Sequence, residues 1–321
     1  MTSLALIESA AARLAGHARV TPLLNAPLLD RIAGRRVFVK AECLQWTGSF
    51  KFRGGWSAVS ALPPGTKGVM AYSSGNHAQG VAFAASRHGL PCVILMPADA
   101  PAVKIANTRA YGAEVVLYDR ATEDRDAIGA ELGATRGLAL VKPFDDAQVI
   151  AGQGTVGLEI ASQAAEAGIN AATVLTCCGG GGLTAGIALA LEARAPHLSV
   201  RPCEPAGFDD TARSLISGKR ERNAATSGSI CDAIVTPSPG ELTFPILHRL
   251  CGPGLVVTDD EACRAVALAF HHLRIVLEPG GAVALAAALF RQDLPDTVIC
   301  TASGGNVDAG LFTDILTRFG S

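Results

Sequence analysis

The chain has 321 residues, of which 49% are hydrophobic and 17% charged, and its formal net charge is −2. This composition supports one large or two medium domains around a substantial core, and it excludes wholesale disorder and a nucleic-acid binder driven by clustered basic charge. No secretory signal or membrane span is visible, since the apolar run from Ala282 to Phe290 is shorter than a bilayer crossing. The nine cysteines contain no Cys-x-x-Cys pair, and several lie in apolar runs such as Val298-Ile299-Cys300. They read as small buried hydrophobes in a reducing cytoplasm.

In chain order, the amphipathic stretch from Leu4 to Ala15 predicts a first helix. Val69 to Tyr72 reads as a strand, Ser73 to His77 as a loop, and Ala78 to His88 as a helix. A strand at Pro91 to Met96, a helix near Val103 to Tyr111, a strand at Glu114 to Tyr118, another helix and a strand near Leu138 to Val141 follow. This stretch predicts a smaller domain over 68–145, inserted into a larger one made of 1–67 and 146–321. The larger part continues with a helix near Thr155 to Glu166, a strand at Ala172 to Thr176, the run Gly179-Gly180-Gly181-Gly182 and a helix from Leu183 to Arg194. A strand at Leu198 to Cys203 follows. Thr258-Asp259-Asp260-Glu261 then has capping-box spacing before a helix that ends near Leu273. A last strand, Thr297 to Cys300, runs into Ser303-Gly304-Gly305-Asn306. The alternation of strands and helices predicts an α/β fold with mostly parallel sheets.

Four glycines between a strand and a helix permit positive φ and close backbone approach. Their N–H groups, aided by the helix dipole, can bind a phosphate without a basic side chain. A simple tight turn needs fewer of them, because each glycine carries an ordering cost of about 1 kcal/mol. No Gly-Lys-Ser/Thr follows, which excludes a Walker loop. A dinucleotide site is the rival, with Glu204 as the acid after the second strand. Its glycine spacing is only loosely matched, and it leaves Lys51 and Ser303 unused.

Lys51 stands in Thr47-Gly48-Ser49-Phe50-Lys51-Phe52-Arg53-Gly54, beside the aromatic Phe50. Confinement there would desolvate the amine, lower its pKa and favour the nucleophilic neutral form. Arg53 either adds positive potential to the site or pairs with an acid elsewhere. Ser73, Ser74, Gly75, Asn76 and His77 offer N–H groups and hydroxyls suited to a substrate carboxylate. The simpler reading is helix capping by Ser73 or Asn76, and His77 is either a general base or a hydrogen-bonding bystander. An amine, a phosphate cradle and such groups together fit an enzyme that binds pyridoxal 5′-phosphate covalently through Lys51.

These motifs resemble the fold-type II pyridoxal-phosphate enzymes, in particular the serine/threonine dehydratase family that includes serine racemase, from Thr21-Pro22-Leu23 to Gly305-Asn306. The resemblance implies two open, mostly parallel twisted sheets with flanking helices, as in the tryptophan synthase β fold. It implies that Lys51 carries the covalent cofactor link, that Phe50 packs on the cofactor ring and that Asn76 bonds its phenolic oxygen. It also implies that Gly179 to Gly182 hold the phosphate and that Ser303 faces the pyridine nitrogen. A serine there leaves the cofactor a weaker electron sink than an aspartate would, which suits elimination. The implied reaction turns a β-hydroxy amino acid into a 2-oxo acid and ammonia, with Lys51 moving the α-proton.

Ser74 matches a serine of serine racemase that reprotonates the opposite face, so racemisation is the alternative activity. Glu204, Phe208 and Asp210 match that family's cation loop, implying Mg²⁺ or Ca²⁺ bound by two carboxylates and a backbone carbonyl. A homodimer is the family expectation. The sequence departs from the family at Ala233, where a glycine usually follows the aspartate, and at Gly280-Gly281, where bulkier residues are common. With Ser321 as the last residue given, the regulatory domain of biosynthetic threonine dehydratases is not expected. For a second substrate carboxylate, Arg125 is the candidate partner.

Overall fold

A computed structural model of the chain describes residues 2–100, 102–119 and 121–320. The strands are β1 (Leu23–Asn25), β2 (Arg36–Lys40), β3 (Val69–Tyr72), β4 (Cys92–Pro97), β5 (Glu114–Tyr118), β6 (Ala139–Leu140), β7 (Ala172–Cys177), β8 (Leu198–Pro205), β9 (Leu255–Val257) and β10 (Thr297–Thr301). The helices begin with α1 (Leu4–Leu14), α2 (Pro27–Ala33), α3 (Lys51–Ser60), α4 (Asn76–Arg87), α5 (Ala102–Ala110) and α6 (Arg125–Arg136). They continue with α7 (Ala147–Glu166), α8 (Gly182–Arg194), α9 (Asp210–Ser217), α10 (Thr243–Leu250), α11 (Asp259–Leu273), α12 (Pro279–Phe290) and α13 (Ala309–Phe319).

Two twisted sheets result. One has the order β1-β2-β10-β7-β8-β9 and the other β5-β4-β3-β6. Every neighbouring pair is parallel except β1 with β2. All strands of the second sheet come from the chain between Val69 and Leu140. The central strands β4 and β7 are buried along their whole length. Helices cover both faces of such sheets, which explains continuous apolar runs in place of alternation.

Local chemistry sets the element ends. Thr258 Oγ1 accepts from the Glu261 amide, and Glu261 Oε2 accepts from the Thr258 amide, closing the expected capping box of α11. Helix α12 is apolar all round and buried, so the Ala282–Phe290 run is a core helix. Among the described residues, no helix is long and apolar enough to cross a membrane. Helix α7 starts at Ala147, well before the expected Thr155, with Asp146 accepting from the amides of Gln148 and Val149. Glycine is a poor helix former, yet Gly152 is needed here: a Cβ at this position would strike the Arg53 carbonyl. Close packing of α7 on α3 overrides the poor helix propensity of glycine.

Strand β10 lies between β2 and β7, and the three are parallel. Their C-terminal ends therefore open on one side of the sheet, where ligands bind in open α/β folds.

Candidate active site

The turn that follows β2 carries Thr47 and Gly48, both in the left-handed region at φ 59° and 72°. Such strain persists only where the surroundings hold it. Here Asn306 Nδ2 donates to the Thr47 carbonyl at 2.8 Å, and the Gly305 amide donates to the Gly48 carbonyl at 2.9 Å. Ser49 pairs with Gly304 in an antiparallel bridge, and the Phe50 amide donates to the Ser303 carbonyl. The lysine motif and the Ser-Gly-Gly-Asn motif are thus stitched together. Lys51, the first residue of α3, donates from Nζ to the Pro143 carbonyl at 2.8 Å and lies 5.3 Å from the Phe50 ring centre. Burial lowers its pKa from 10.5 to about 8, with Glu278 opposing the shift.

Beyond β7 the chain turns through the glycine run into α8. Gly181 sits at φ 90°, a left-handed conformation that glycine adopts without a side-chain clash. The amides of Gly179, Gly180 and Gly181 donate to no group among the described residues. A Cβ on Gly180 would collide with the Phe144 ring, so the cradle has no room for a side chain. Backbone donors at a helix N-terminus suit a phosphate.

The other wall comes from the second sheet, where Ser73 to His77 lead from β3 into α4. Gly75 is the N-cap of α4, and no side chain caps it. The capping reading of Ser73 and Asn76 therefore fails. Ser73 Oγ instead accepts from the Gly75 amide at 3.2 Å. Asn76 donates from Nδ2 to Glu278 Oε1 at 2.5 Å and accepts at Oδ1 from Asn306 Nδ2 at 2.7 Å. His77 Nε2 donates to the Val141 carbonyl at 2.8 Å, while its buried Nδ1 has no partner among the described residues. Burial and the neighbouring Lys51 push its pKa down to about 3. A histidine held that low is a poor general base at neutral pH.

One cavity is lined by Phe50, Lys51, Ser73, Ser74, Gly75, Asn76, His77, Gly179, Gly180, Gly181, Gly182 and Ser303. These residues come from four separated stretches of the sequence. The donor set fits pyridoxal phosphate: a desolvated amine, a cradle of free amides, and polar atoms such as Thr236 Oγ1 that are buried without partners among the described residues. The cavity has further lining residues beyond those expected. Among them, Phe144 leans on the glycine run, Lys104 stands on α5, and Glu278 precedes α12. Burial raises the Glu278 pKa to about 7, against the Asn76 hydrogen bond. The only sequence signal for it was an acid just before Pro279 at the start of an apolar run.

Other candidates lie elsewhere. Arg53 is fully buried and points away from the cavity, paired with Glu42 at 2.8 Å and Glu159 at 2.7 Å. Pairing, and not positive potential, is its part. Arg125 lies on the surface beside Asp126, its guanidinium 5.3 Å from the Tyr72 ring centre, and does not line the cavity. Glu204 is buried at the end of β8 and accepts from the Thr211 and Ala212 amides at 2.8 and 2.7 Å. It caps α9, which removes the acid that the dinucleotide reading needs. Asp210 lies beside it. Its Oδ1 accepts from Asn223, and its buried Oδ2 has no partner among the described residues.

Comparison with known proteins finds relatives along nearly the whole chain. Residues 14–311 match the family described as pyridoxal-phosphate dependent enzyme. An L-threo-3-hydroxyaspartate ammonia-lyase from Pseudomonas sp. is 40% identical over 97% of this chain and 97% of its own. A serine racemase from Oryza sativa subsp. indica is 36% identical over 97% of this chain and 93% of its own. The crystal structure of a threonine deaminase from T.th. superposes with a TM-score of 0.91 at 45% identity, covering 95% of this chain and 99% of that one. With a family match over most of its length and relatives that overlap it nearly end to end, the chain belongs to the pyridoxal-phosphate dependent enzymes.

Proposed function

We propose that the protein is a pyridoxal-phosphate dependent ammonia-lyase that converts a β-hydroxy amino acid (serine, threonine or 3-hydroxyaspartate) to a 2-oxo acid and ammonia. The observation that carries this reading is the Lys51 amine, lowered to about 8 by burial, in one cavity with the glycine cradle and Ser303. The names of the Pseudomonas ammonia-lyase and of the threonine deaminase support it.

Pyridoxal phosphate attached through Lys51 supplies an electron sink that acidifies the α-C–H bond of an amino acid. In this reading Gly179 to Gly182 would hold its phosphate, Phe50 would pack on its ring, Asn76 would bond its phenolic oxygen and Ser303 would face its ring nitrogen. The Ser303 hydroxyl stays neutral, so it does not deepen the sink as a carboxylate would. Such a weaker sink would favour departure of the β-hydroxyl with, or soon after, proton removal. Lys51, neutral in a useful fraction near pH 8, takes the α-proton. Ser73, Ser74, Gly75, Asn76 and His77 orient the α-carboxylate. Residues 68–145 act as the unit that closes on 1–67 and 146–321, which would keep water from the reacting carbon.

A second reading is racemisation. The Ser74 hydroxyl lines the same cavity as Lys51, and the rice relative is named serine racemase. Ser74 would then return the proton to the opposite face. Both enantiomers of serine, threonine and 3-hydroxyaspartate, assayed for oxo acid and for the opposite enantiomer, separate the two. The lyase reading is abandoned if no oxo acid forms from any of them.

We also propose a Mg²⁺ or Ca²⁺ site at Glu204, the Phe208 carbonyl and Asp210. Hard oxygen donors suit these ions, and the unpartnered, buried Asp210 Oδ2 is an open ligand position. Bound at one hundred times its dissociation constant, such an ion stabilises by about 2.7 kcal/mol. A chelator that leaves the melting temperature unchanged argues against the site. A homodimer is consistent with the exposed Leu28 and Ile32 on α2 and is tested by light scattering. Nine free cysteines, eight of them buried, are consistent with a cytoplasmic location.

A further inference from the structure

The cavity holds one charged cluster that the reading above leaves without a role. Lys104 Nζ, on α5, donates to Asp232 Oδ2 at 3.0 Å, and Glu278 completes the cluster. Apart from Lys51, Lys104 is the one lysine or arginine that lines the cavity among the described residues. Asp232 opens the 3-10 turn Asp232–Ile234 in the chain between β8 and β9, while α5 follows β4 of the other sheet. The ion pair therefore joins the two sheet units at the cavity wall.

We propose that Lys104 is a specificity-determining residue: it receives the distal carboxylate of a dicarboxylic β-hydroxy amino acid, exchanging Asp232 for it. This inference rests on the ammonia-lyase reading. A second carboxylate needs a cation in the same cavity as Lys51, and Arg125 is not in it. The Asp232 carboxylate already marks where an anionic oxygen sits against Lys104.

The exposures of the two partners make the exchange feasible. The Asp232 side chain is 65% exposed and that of Lys104 20%. A pair with one partner mostly in water contributes little, so giving it up costs little. A carboxylate enclosed in the cavity interacts with the same ammonium at lower effective dielectric and gains more. Serine and threonine carry no second charge, so they leave the Lys104–Asp232 pair intact. Lys104 thus sets the ratio between the two substrate classes without being needed for the shorter ones.

The test uses the holoenzyme and the variants Lys104→Met, Lys104→Arg and Asp232→Asn. Lys104→Met is expected to lower kcat/KM for L-threo-3-hydroxyaspartate at least about tenfold, the loss expected for one charge-assisted hydrogen bond. The value for L-serine should stay within about twofold, and Lys104→Arg should restore the preference. Asp232→Asn, which removes the competing carboxylate, should move the ratio the other way. Calorimetric titration gives a readout without turnover: succinate should lose affinity in Lys104→Met, while butyrate should not. If Lys104→Met lowers both substrates equally and succinate binds as before, the pair is only a tether between units and the proposal falls. If the wild type releases ammonia from no hydroxy amino acid, the lyase reading fails by itself, and the succinate titration still decides the role of Lys104.

Discussion

Replacing Glu278 by Gln isolates the cost of burying a carboxylate at this site. Glu278 is 4% exposed and its pKa is raised from 4.5 to about 7, chiefly by burial. Between those two values the folded protein binds more protons than the unfolded chain, so stability falls as pH rises. The shift of about 2.5 units, at 1.36 kcal/mol each, amounts to roughly 3 kcal/mol lost between pH 4.5 and pH 8. Glu278→Gln keeps an oxygen for the Asn76 Nδ2 donor and removes the titration. Its amide NH₂ introduces an unsatisfied donor, but that penalty is the same at every pH. The difference between mutant and parent should therefore change by about 2.5 kcal/mol in favour of the mutant from pH 5 to pH 8. At about 2 cal/mol/K per residue for this chain length, that is roughly 4 °C of melting temperature. Urea unfolding of the cofactor-stripped proteins at the two pH values measures it. Parallel pH profiles for the two proteins would refute the argument.

Other perturbations test the remaining parts of the site. Lys51→Ala should abolish turnover and leave no borohydride-trapped cofactor adduct by intact mass. Because burial lowers the Lys51 pKa to about 8, capture of pyridoxal phosphate by the stripped enzyme should rise with pH through a midpoint near 8. A midpoint near 10 would show the amine to be solvated. Gly180→Val should weaken cofactor binding at least about tenfold while the circular dichroism is kept, because its branched side chain meets the Phe144 ring. Undiminished cofactor affinity would remove the cradle from the argument. Arg53→Met leaves Glu42 buried without its bidentate partner, a loss of about 3–5 kcal/mol. A melting temperature within a degree of the parent would contradict that account.

What could be read from the sequence was local in origin. The glycine run, the small-residue turn before Lys51, the Ser-Gly-Asn-His loop and the apolar strands each carry their physical reason within a few neighbouring residues. The capping box of α11 is of this kind, since both of its hydrogen bonds lie within one turn. The start of α7 was not legible, because Gly152 is poor in an isolated helix and is required only once α3 packs against it.

The partners of the charged groups were equally hidden. Arg53 meets Glu159 from α7, Asn76 meets Glu278 from the far end of the chain, and Lys104 meets Asp232 from the other sheet unit. Sequence alone settled the α/β class, strands such as β3, β4, β7, β8 and β10, and where backbone donors suited to a phosphate can form, because these depend on short-range sterics and periodicity. Tertiary structure decided which charges face the cavity, which are neutralised behind it, and how far burial shifts Lys51, His77 and Glu278. Those outcomes depend on desolvation and on contacts between residues far apart in the chain, and no local pattern encodes them.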